Sequence, residues 1–395
     1  INDSLGHLVG DRLLISMAQR ISQSVRAQDK VARLGGDEFV VHLEDIRQIS
    51  EVTEIAQRII SQLQQPFYLN GHEVVVTTSI GIATSETIYY QADEILRDAD
   101  NALYRAKLLG KNRYELFDRQ MQLEALSRLQ IENQLRVAIS QSKLDVFYQP
   151  IIDLKLRQIK GFEALARWQD PQRGFICPSR FIPIAEETGS IVSLNNLILE
   201  KACFQLRQWQ QQYRQNLTLN VNISAIQFMQ PNFISTIEQI LQQTGFPAED
   251  LVLEITETTI IRDLKRARLI IEELLTKNIK IAMDDFGTGY SSLSYLYQLP
   301  VNNIKIDRSF VRDLEVDLDK FQVLKAIANL ANDLQINLVA EGIETIQQLQ
   351  IIEELKCNYG QGYLFSKPVH PERVESLLFL EQEFLSQIFY ENYKD

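Results

Sequence analysis

The hydrophobic and polar positions divide the chain into two regions with different rhythms. In the first region, apolar residues such as Leu13, Met17 and Ile21 recur at helical spacing. Short apolar runs on either side of Gly35 and Gly36 predict a β-hairpin. Helices are predicted near 9–26, 48–64 and 93–109, and further strands at 73–83 and 113–117. The pattern indicates a small α+β domain.

A polar stretch with a helical period follows over residues 118–141. Its apolar positions are Leu123, Leu126, Leu129 and Leu135, and it contains no Gly or Pro. We interpret it as a connecting helix, either solvated or paired with a partner.

The second region alternates short apolar strands with helices, which is typical of a parallel (β/α)8 barrel, the TIM-like fold. Only about ten residues, 152–160, join the first two strands. Because that is too short for a helical crossover, this first pair is predicted to be antiparallel. Strands are predicted at 146–151, 161–167, 217–223, 251–255, 279–284, 303–307, 336–340 and 359–365. Helices are predicted at 194–212, 232–244, 263–277, 319–334 and 345–355.

These patterns set the expected domain boundaries. We expect a first domain at 1–117, the connecting helix at 118–141, the barrel at 142–380 and a C-terminal tail at 381–395. The chain begins at Ile1 in mid-pattern rather than at Met, so we expect a piece of a longer parent protein. That parent could carry sensor or membrane segments outside this sequence.

The amino-acid composition limits the classes of partner and the cellular location to be expected. The net charge is −12 and the isoelectric point about 5.0, whereas surfaces that bind a nucleic-acid duplex are usually basic, so no duplex partner is expected. The three cysteines are far apart, which indicates reduced thiols and a cytoplasmic location. No apolar run approaches the roughly 18 residues of a membrane helix.

Polar residues stand where a barrel carries its chemistry, at the carboxyl ends of the strands. A single acid there is as often merely solvated as functional, but converging acids repel. Two carboxylates about 4 Å apart cost roughly 4 kcal/mol at an effective dielectric near 20, so a cluster predicts bound cations. Carboxylate and amide oxygens without Cys or His favour Mg²⁺ or Mn²⁺, and two ions suit attack on a phosphodiester. The residues are Glu163, Asn222, Glu254, Asp284, Asp285, Lys305, Glu341 and Gln361.

Seven motifs over about 140–380 resemble, in order, those of the EAL phosphodiesterases. They are Glu163-Ala-Leu-Ala-Arg167, Asn222-Ile-Ser, Leu253-Glu-Ile-Thr-Glu257, Asp284-Asp-Phe-Gly-Thr-Gly-Tyr-Ser-Ser-Leu293, Ile304-Lys-Ile-Asp307, Ala340-Glu-Gly-Ile-Glu344 and Gln361-Gly-Tyr. The resemblance implies a barrel that hydrolyses cyclic di-GMP to linear pGpG, with two Mg²⁺ or Mn²⁺ ions in each site.

The same resemblance assigns a role to each position. The metal ligands would be Glu163, Asn222, Glu254, Asp284, Asp285 and Glu341. Lys305, Asp285 and Glu341 would act in catalysis; Lys305 would position the attacking water, and Asp285 would help to activate it. Arg167 would bind a substrate phosphate, with Gln361 supporting the cluster. Residues 285–293 resemble a mobile loop that Glu257 would anchor and Glu344 would support. A homodimer through this face is also implied.

The first region resembles the GGDEF diguanylate cyclases over residues 1–117. The motifs are Asn2-Asp-Ser-Leu-Gly-His-Leu-Val-Gly-Asp11, Arg33-Leu-Gly-Gly-Asp-Glu-Phe39 and Ala106-Lys-Leu-Leu-Gly-Lys-Asn-Arg113. By resemblance, Asn2 and Asp11 would read the guanine of GTP. Asp37 would bind metal beside Glu38, and Lys107 and Lys111 would meet phosphates.

Two further features of this region bear on its activity. Arg26 and Asp29 match the family's inhibitory product site, although they are equally interpretable as a surface ion pair. The family's strand before Ile1, which carries a metal-binding aspartate, is absent from this sequence. We therefore expect no synthesis of cyclic di-GMP by this chain.

The sequence leaves three functions open. The first is a cyclic di-GMP phosphodiesterase whose GGDEF domain is inactive or regulatory, for example as a GTP sensor. The second is a bifunctional cyclase and phosphodiesterase in a longer parent. The third is a receptor that binds cyclic di-GMP without cleaving it, and the intact Glu163, Asp285, Lys305 and Glu341 favour the first function over this one.

Overall fold

The computed structural model describes residues 7–85, 89–171, 173–287 and 293–391. Contacts within the chain divide it into two compact units, Ile1–Gln130 and Ile131–Asp395, each with its own hydrophobic core. Among the described residues, no helix has both the length and the apolar composition needed to cross a membrane.

The first unit is an α+β assembly. Its helices are α1 (His7–Gln23), α2 (Ile49–Leu63) and α3 (Ala92–Leu108). Its strands are β1 (Lys30–Gly35), β2 (Glu38–His42), β3 (Phe67–Leu69), β4 (His72–Val74), β5 (Ile80–Ile82) and β6 (Tyr114–Leu116). β1 with β2 and β3 with β4 form antiparallel pairs, whereas β5 and β6 are parallel. The apolar stripe of α2 packs into the core of this unit, as its helical period predicts.

The predicted hairpin around the glycine pair is present. Gly36 adopts a φ of 52°, a conformation that glycine takes without steric cost, and Arg33 Nε donates to Gly36 O at 2.9 Å. The single strand predicted at 73–83 is instead two strands, β4 and β5, with residues 75–79 outside any strand. Strand propensity is expressed only where a neighbour pairs with the backbone, and no described strand pairs with 75–79.

One helix, α4 (Arg119–Ser140), occupies the expected connecting segment, and the division between the units falls within it. Its last turns bury Ile131, Leu135 and Ala138 in the core of the second unit. Leu123, Leu126 and Leu129 are 64%, 53% and 55% exposed. The interpretation as solvated or partner-paired therefore fits only the first half of the helix.

The second unit alternates strands and helices. Its strands are β7 (Leu144–Asp153), β8 (Gln158–Asp170), β9 (Gly174–Ile176), β10 (Thr218–Asn222), β11 (Leu251–Thr256), β12 (Lys280–Phe286), β13 (Asn303–Ile306), β14 (Asn337–Ala340) and β15 (Tyr359–Gly360). Its helices are α5 (Pro178–Glu187), α6 (Ile191–Tyr213), α7 (Ala225–Phe228), α8 (Phe233–Thr244), α9 (Glu257–Arg262), α10 (Leu264–Thr276), α11 (Arg308–Val311), α12 (Leu318–Asp333), α13 (Ile346–Glu354), α14 (Pro371–Phe379) and α15 (Glu381–Ser386).

The strands close into a barrel. The pairing runs β8-β10-β11-β12-β13-β14-β15-β7 and returns to β8, with β9 added to β8 outside the ring. β7 is antiparallel to both of its neighbours, and the remaining pairs of the ring are parallel. The predicted eight-stranded barrel with an antiparallel first strand is confirmed.

The tight turn between β7 and β8 explains the antiparallel pair. Asp153 Oδ1 accepts the backbone N–H groups of Lys155 and Leu156, at 3.1 and 2.8 Å. Arg157 then adopts a φ of 52°, which reverses the chain within four residues, 154–157.

Two segments near the C-terminus differ from expectation. The strand predicted at 359–365 is only two residues long, because the chain turns at Gly362, whose oxygen accepts from Phe365 N at 3.2 Å. The segment expected as a tail from residue 381 is helical through Glu391 and buries Leu385, Ile388 and Phe389 in the barrel core. Leu385, Ile388 and Phe389 stand at helical spacing, but so short a stretch does not by itself predict what it packs against.

Candidate active site

The polar residues named from the sequence meet at the carboxyl ends of the barrel strands. Parallel strands in one barrel all end at the same rim, so residues far apart in sequence converge there. Glu163 lies in β8, Glu254 in β11, Asp284 in β12 and Lys305 in β13. Asn222 ends β10, whereas Glu341 and Gln361 follow β14 and β15 directly.

Lys305 stands at the centre of this cluster. Its ammonium lies 2.6 Å from Glu341, 2.8 Å from Glu254, 3.5 Å from Glu163 and 3.6 Å from Asp284. The Lys305 side chain is 1% exposed, so water contributes little to its solvation. One positive charge therefore faces four carboxylates inside the barrel.

Amide side chains complete the hydrogen bonding of two of these acids. Asn222 and Gln361 each donate to Glu163 at 2.7 Å, one to each carboxylate oxygen. Glu254 accepts from Asn220 at 2.8 Å on one oxygen and from Lys305 at 2.8 Å on the other. Both carboxylates are thereby fixed in orientation.

The surplus of negative charge shows in the pKa values. Burial and the neighbouring Glu163 raise the pKa of Glu254 well above its usual range despite Lys305. Burial raises the pKa of Glu341 to about 7, against the opposing effect of Lys305. For Glu163, burial also acts to raise the pKa, but Lys305, Gln361 and Asn222 outweigh it and hold the pKa below the usual value.

The lysine responds in the opposite direction. Burial alone would lower the pKa of Lys305, but Asp284, Glu163, Glu254 and Glu341 together raise it well above its usual value. Lys305 is therefore an ammonium ion at neutral pH, and the cluster can neutralise itself further only by taking up protons or another cation.

Asp285 ends up in a different position from Asp284 at the same rim. It adopts a φ of 55° at the end of β12, and its backbone N–H bonds to Asp284 Oδ1 at 2.9 Å. Asp284 is buried, whereas Asp285 is more exposed; partial desolvation by the surrounding protein and the charge of Asp284 raise the pKa of Asp285. The two adjacent aspartates thus face different surroundings at one rim.

Three further predicted residues lie around the cluster. Arg167 is half-buried in β8, four positions beyond Glu163 and on the same face, and burial lowers its pKa. Glu257 is 1% exposed and accepts the backbone N–H of Gly287 at 3.0 Å, which fixes the start of the loop after β12. Glu344 is exposed. Residues 288–292 of the predicted loop lie outside the described residues.

The donor set fits divalent cations that prefer oxygen. In the described part of the chain, no three Asp, Glu, His or Cys side chains already stand as a metal cage, since the carboxylates are turned towards Lys305. Yet four carboxylates surround one ammonium, and Gln361 Oε1 is buried without a hydrogen-bond partner among the described residues. The carboxylates thus carry more negative charge than Lys305 balances, and all the donors are oxygens, the ligands that Mg²⁺ and Mn²⁺ prefer.

Comparison with known proteins identifies the family. Residues 132–368 match the family model of the EAL domain, and residues 1–113 match that of the diguanylate cyclase GGDEF domain. The chain belongs to the EAL family. Its EAL domain follows a GGDEF domain in tandem, and both resemblances seen in the sequence are confirmed.

Two curated relatives come from Pseudomonas aeruginosa. The bifunctional diguanylate cyclase/cyclic di-GMP phosphodiesterase MucR is 39% identical over 95% of this chain and 54% of its own length. The cyclic di-GMP phosphodiesterase NbdA is 37% identical over 96% of this chain and 48% of its own length. The chain thus spans about half the length of these relatives.

Solved structures agree with the EAL assignment. The MucR phosphodiesterase in complex with cyclic di-GMP has a TM-score of 0.60 and 38% identity, covering 62% of this chain and 99% of that structure. The EAL enzyme Bd1971 in a cAMP-bound form has a TM-score of 0.61 and 36% identity, covering 65% of this chain and 71% of that one.

The predicted residues of the GGDEF domain form no comparable cluster among the described residues. Asn2 lies outside the described residues. Asp11, Asp37, Glu38, Lys107 and Lys111 are exposed on α1, on the β1–β2 hairpin and around the end of α3. Among the described residues, no hydrogen bond or ion pair joins any two of these five.

The Arg26 and Asp29 pair is used within the GGDEF domain itself. Asp29 accepts the backbone N–H groups of Arg26 and Glu44, at 2.7 and 3.3 Å, and so holds a turn. The Arg26 guanidinium instead pairs with Glu51 at 2.9 Å. Among the described residues, the Arg26 side chain therefore pairs with Glu51 and not with Asp29.

Sequence reasoning missed two residues of the EAL site. Asn220 donates to Glu254, and Gln149 accepts from Gln361 at 3.1 Å while facing Glu163 across the β7–β8 pair. Asn220 stands two positions before Asn222, on the same face of β10, so the strand period carried a usable signal. Gln149 sits within the apolar run of β7, where only the pairing register reveals its neighbour.

Proposed function

We propose that the EAL domain is a metal-dependent phosphodiesterase that hydrolyses cyclic di-GMP to linear pGpG. The observation that carries the proposal is the ring of four carboxylates around Lys305, with an excess of negative charge at the catalytic rim of the barrel. The names of MucR and NbdA support the substrate.

The reaction is the attack of water on one of the two phosphodiesters. The water oxygen joins phosphorus as the bond from phosphorus to the 3′ oxygen breaks, leaving a 3′-hydroxyl and a 5′-phosphate. Opening the ring in this way gives pGpG without any oxidant or further reactant.

The group that would be held here is a pair of Mg²⁺ or Mn²⁺ ions. Their ligands would be Glu163, Asn222, Glu254, Asp284, Asp285 and Glu341. When bound, such ions lower the pKa of a water and stabilise charge on phosphate oxygens.

The chain's own residues supply orientation and charge. Arg167, on the face of β8 that carries Glu163, would bind a phosphate oxygen of the substrate. Lys305 and Asp285 would orient the attacking water, and Asp285, whose pKa is raised, would accept its proton. Gln361 and Asn220 hold Glu163 and Glu254 in place, and Glu257 holds the start of the loop at Gly287.

The direct test incubates the full chain with cyclic di-GMP and Mg²⁺ and separates the products. We expect pGpG, no product after chelation, and no product from Glu163→Gln, which keeps the shape of the side chain but removes its charge. Tight binding of cyclic di-GMP without cleavage by the metal-loaded protein would instead favour the receptor function.

We further propose that two EAL domains associate near residues 285–293, as the resemblance implies. Light scattering of the active protein tests this. A monomer with full activity would exclude a requirement for the dimer.

A further inference from the structure

A polar cavity lies at the amino ends of the parallel barrel strands, opposite the rim that carries the carboxylate cluster. It has a volume of about 140 Å³ and is lined by residues at the amino ends of strands, including Lys280 of β12 and Asn303 of β13. Lys160 and Asn220 also line it. A site at this end is separate from the rim where barrels carry their chemistry.

The charge on this cavity is positive. Lys160 and Lys280 are half-buried in its wall, and within the described ranges neither forms an ion pair. Asp250 interacts electrostatically with both lysines, but its carboxylate accepts a hydrogen bond from Gln210 at 2.8 Å. Two lysines thus line one small cavity, and among the described residues no acid forms an ion pair with either.

Two asparagines in the cavity wall use their side-chain oxygens within the protein. Asn302 Oδ1 accepts the backbone N–H of Ile281 at 2.9 Å, and Asn303 Oδ1 accepts from Asn337 Nδ2 at 3.1 Å. Since both oxygens are engaged, the Nδ2 groups of Asn302 and Asn303 remain, and in the described part of the chain they donate to no other residue. The cavity therefore offers positive charge and N–H donors to whatever fills it.

We propose that this cavity binds a single oxyanion of phosphate size. A cavity of about 140 Å³ has room for an anion of phosphate size. Charge-assisted hydrogen bonds from two ammonium groups and neutral amide donors match an acceptor-only ligand.

The floor of the cavity connects it to the other site. Asn220 lines the cavity and donates its Nδ2 hydrogen bond to Glu254. The anion would thus lie on one side of Asn220 and the carboxylate cluster on the other. The proposal does not depend on phosphodiesterase activity.

Calorimetric titration with inorganic phosphate, repeated with sulfate, tests the proposal at constant ionic strength. Every protein is the full chain carrying Arg167→Ala, in chelator, so that neither that arginine nor a metal contributes. The protein with Arg167→Ala alone should bind one phosphate saturably. Lys160→Met and Lys280→Met should each weaken binding by about tenfold or more, since each removes a charge-assisted bond. Asn303→Asp, which places a negative charge in the cavity, should abolish binding.

Lys325→Met is the matched control, because it removes the same charge from an exposed position on α12. It should leave the affinity within about twofold. If a methionine variant fails to fold, Lys160→Gln and Lys280→Gln replace it. Equal affinities in the Arg167→Ala protein and in the same protein carrying both Lys160→Met and Lys280→Met would overturn the proposal, as would absence of saturable binding by the Arg167→Ala protein.

Discussion

The ammonium of Lys305 lies 2.8 Å from Glu254, and each of these side chains is at most 1% exposed. A buried charge pair contributes little net stability when complete, because desolvation offsets attraction, but removing one partner leaves the other charge buried and unpaired. Lys305 serves Glu341 in the same way, at 2.6 Å. The lysine is therefore a structural counter-charge for the site as well as a candidate for positioning water.

The first prediction concerns Lys305→Met. We expect turnover of cyclic di-GMP to fall by orders of magnitude, and the metal-free barrel to lose about 3 kcal/mol of stability at neutral pH. Urea unfolding followed by tryptophan fluorescence measures the second effect. Both tryptophans of the chain, Trp168 and Trp209, are buried in the barrel, so the signal reports this domain.

Lys277→Met is the control for this change. Lys277 pairs with Glu238 at 2.6 Å on the surface, where salt bridges contribute little to stability. The activity and stability of Lys277→Met should therefore both stay near those of the unsubstituted chain. Parent-like turnover in Lys305→Met would remove the lysine from the mechanism.

The second prediction is a pH dependence of stability in chelator. Burial raises the pKa of Glu341 from 4.5 to about 7. Between these values the folded state holds a proton that the unfolded state has lost, so this group's contribution to stability falls as pH rises and levels off above about 7. Glu341→Gln, which cannot titrate, should flatten this part of the profile. Urea midpoints taken between about pH 5 and pH 8 measure it, and identical slopes in both proteins would contradict the assignment.

The third prediction concerns Asn220, which holds one oxygen of Glu254. Asn220→Ala should weaken binding of Mn²⁺ by about tenfold, since groups that orient a metal ligand typically matter at this level. Calorimetric titration with Mn²⁺ measures the affinity independently of turnover. Asn196→Ala is the control, because Asn196 bonds Gln227 at 2.8 Å and touches no acid of the cluster. Unchanged Mn²⁺ affinity in Asn220→Ala would show that Glu254 needs no such support.

The sequence predicted the barrel and its converging acids because both signals are local. Each strand is a short apolar run, and each acid interrupts or ends one of them, as Glu254 and Asp284 do. The central place of Lys305 was not predictable, since its four partners come from four other strands or strand ends and meet only when the barrel closes. The burial of Phe389 was not predicted for the same reason, because it depends on contacts with elements that are distant in the sequence.

The last prediction tests the seam where the barrel closes. β8 pairs with β10 in parallel, and Gly161 faces Thr218 across that pair. A Cβ at Gly161 would overlap the backbone oxygen of Thr218, as well as its hydroxyl. The backbone oxygen cannot rotate away, so Gly161→Ala must separate two strands of the closed ring.

We expect Gly161→Ala to destabilise the barrel by about 2–4 kcal/mol, at or above the usual cost of overpacking. Tryptophan fluorescence in urea measures the change. Gly35→Ala is the control, because a Cβ there meets nothing within 4 Å and the GGDEF domain contains no tryptophan. Thr218→Ala should not rescue Gly161→Ala, since the backbone oxygen remains. Rescue would place the conflict at the hydroxyl, whereas parent-like stability of Gly161→Ala would show that β8 and β10 separate at little cost.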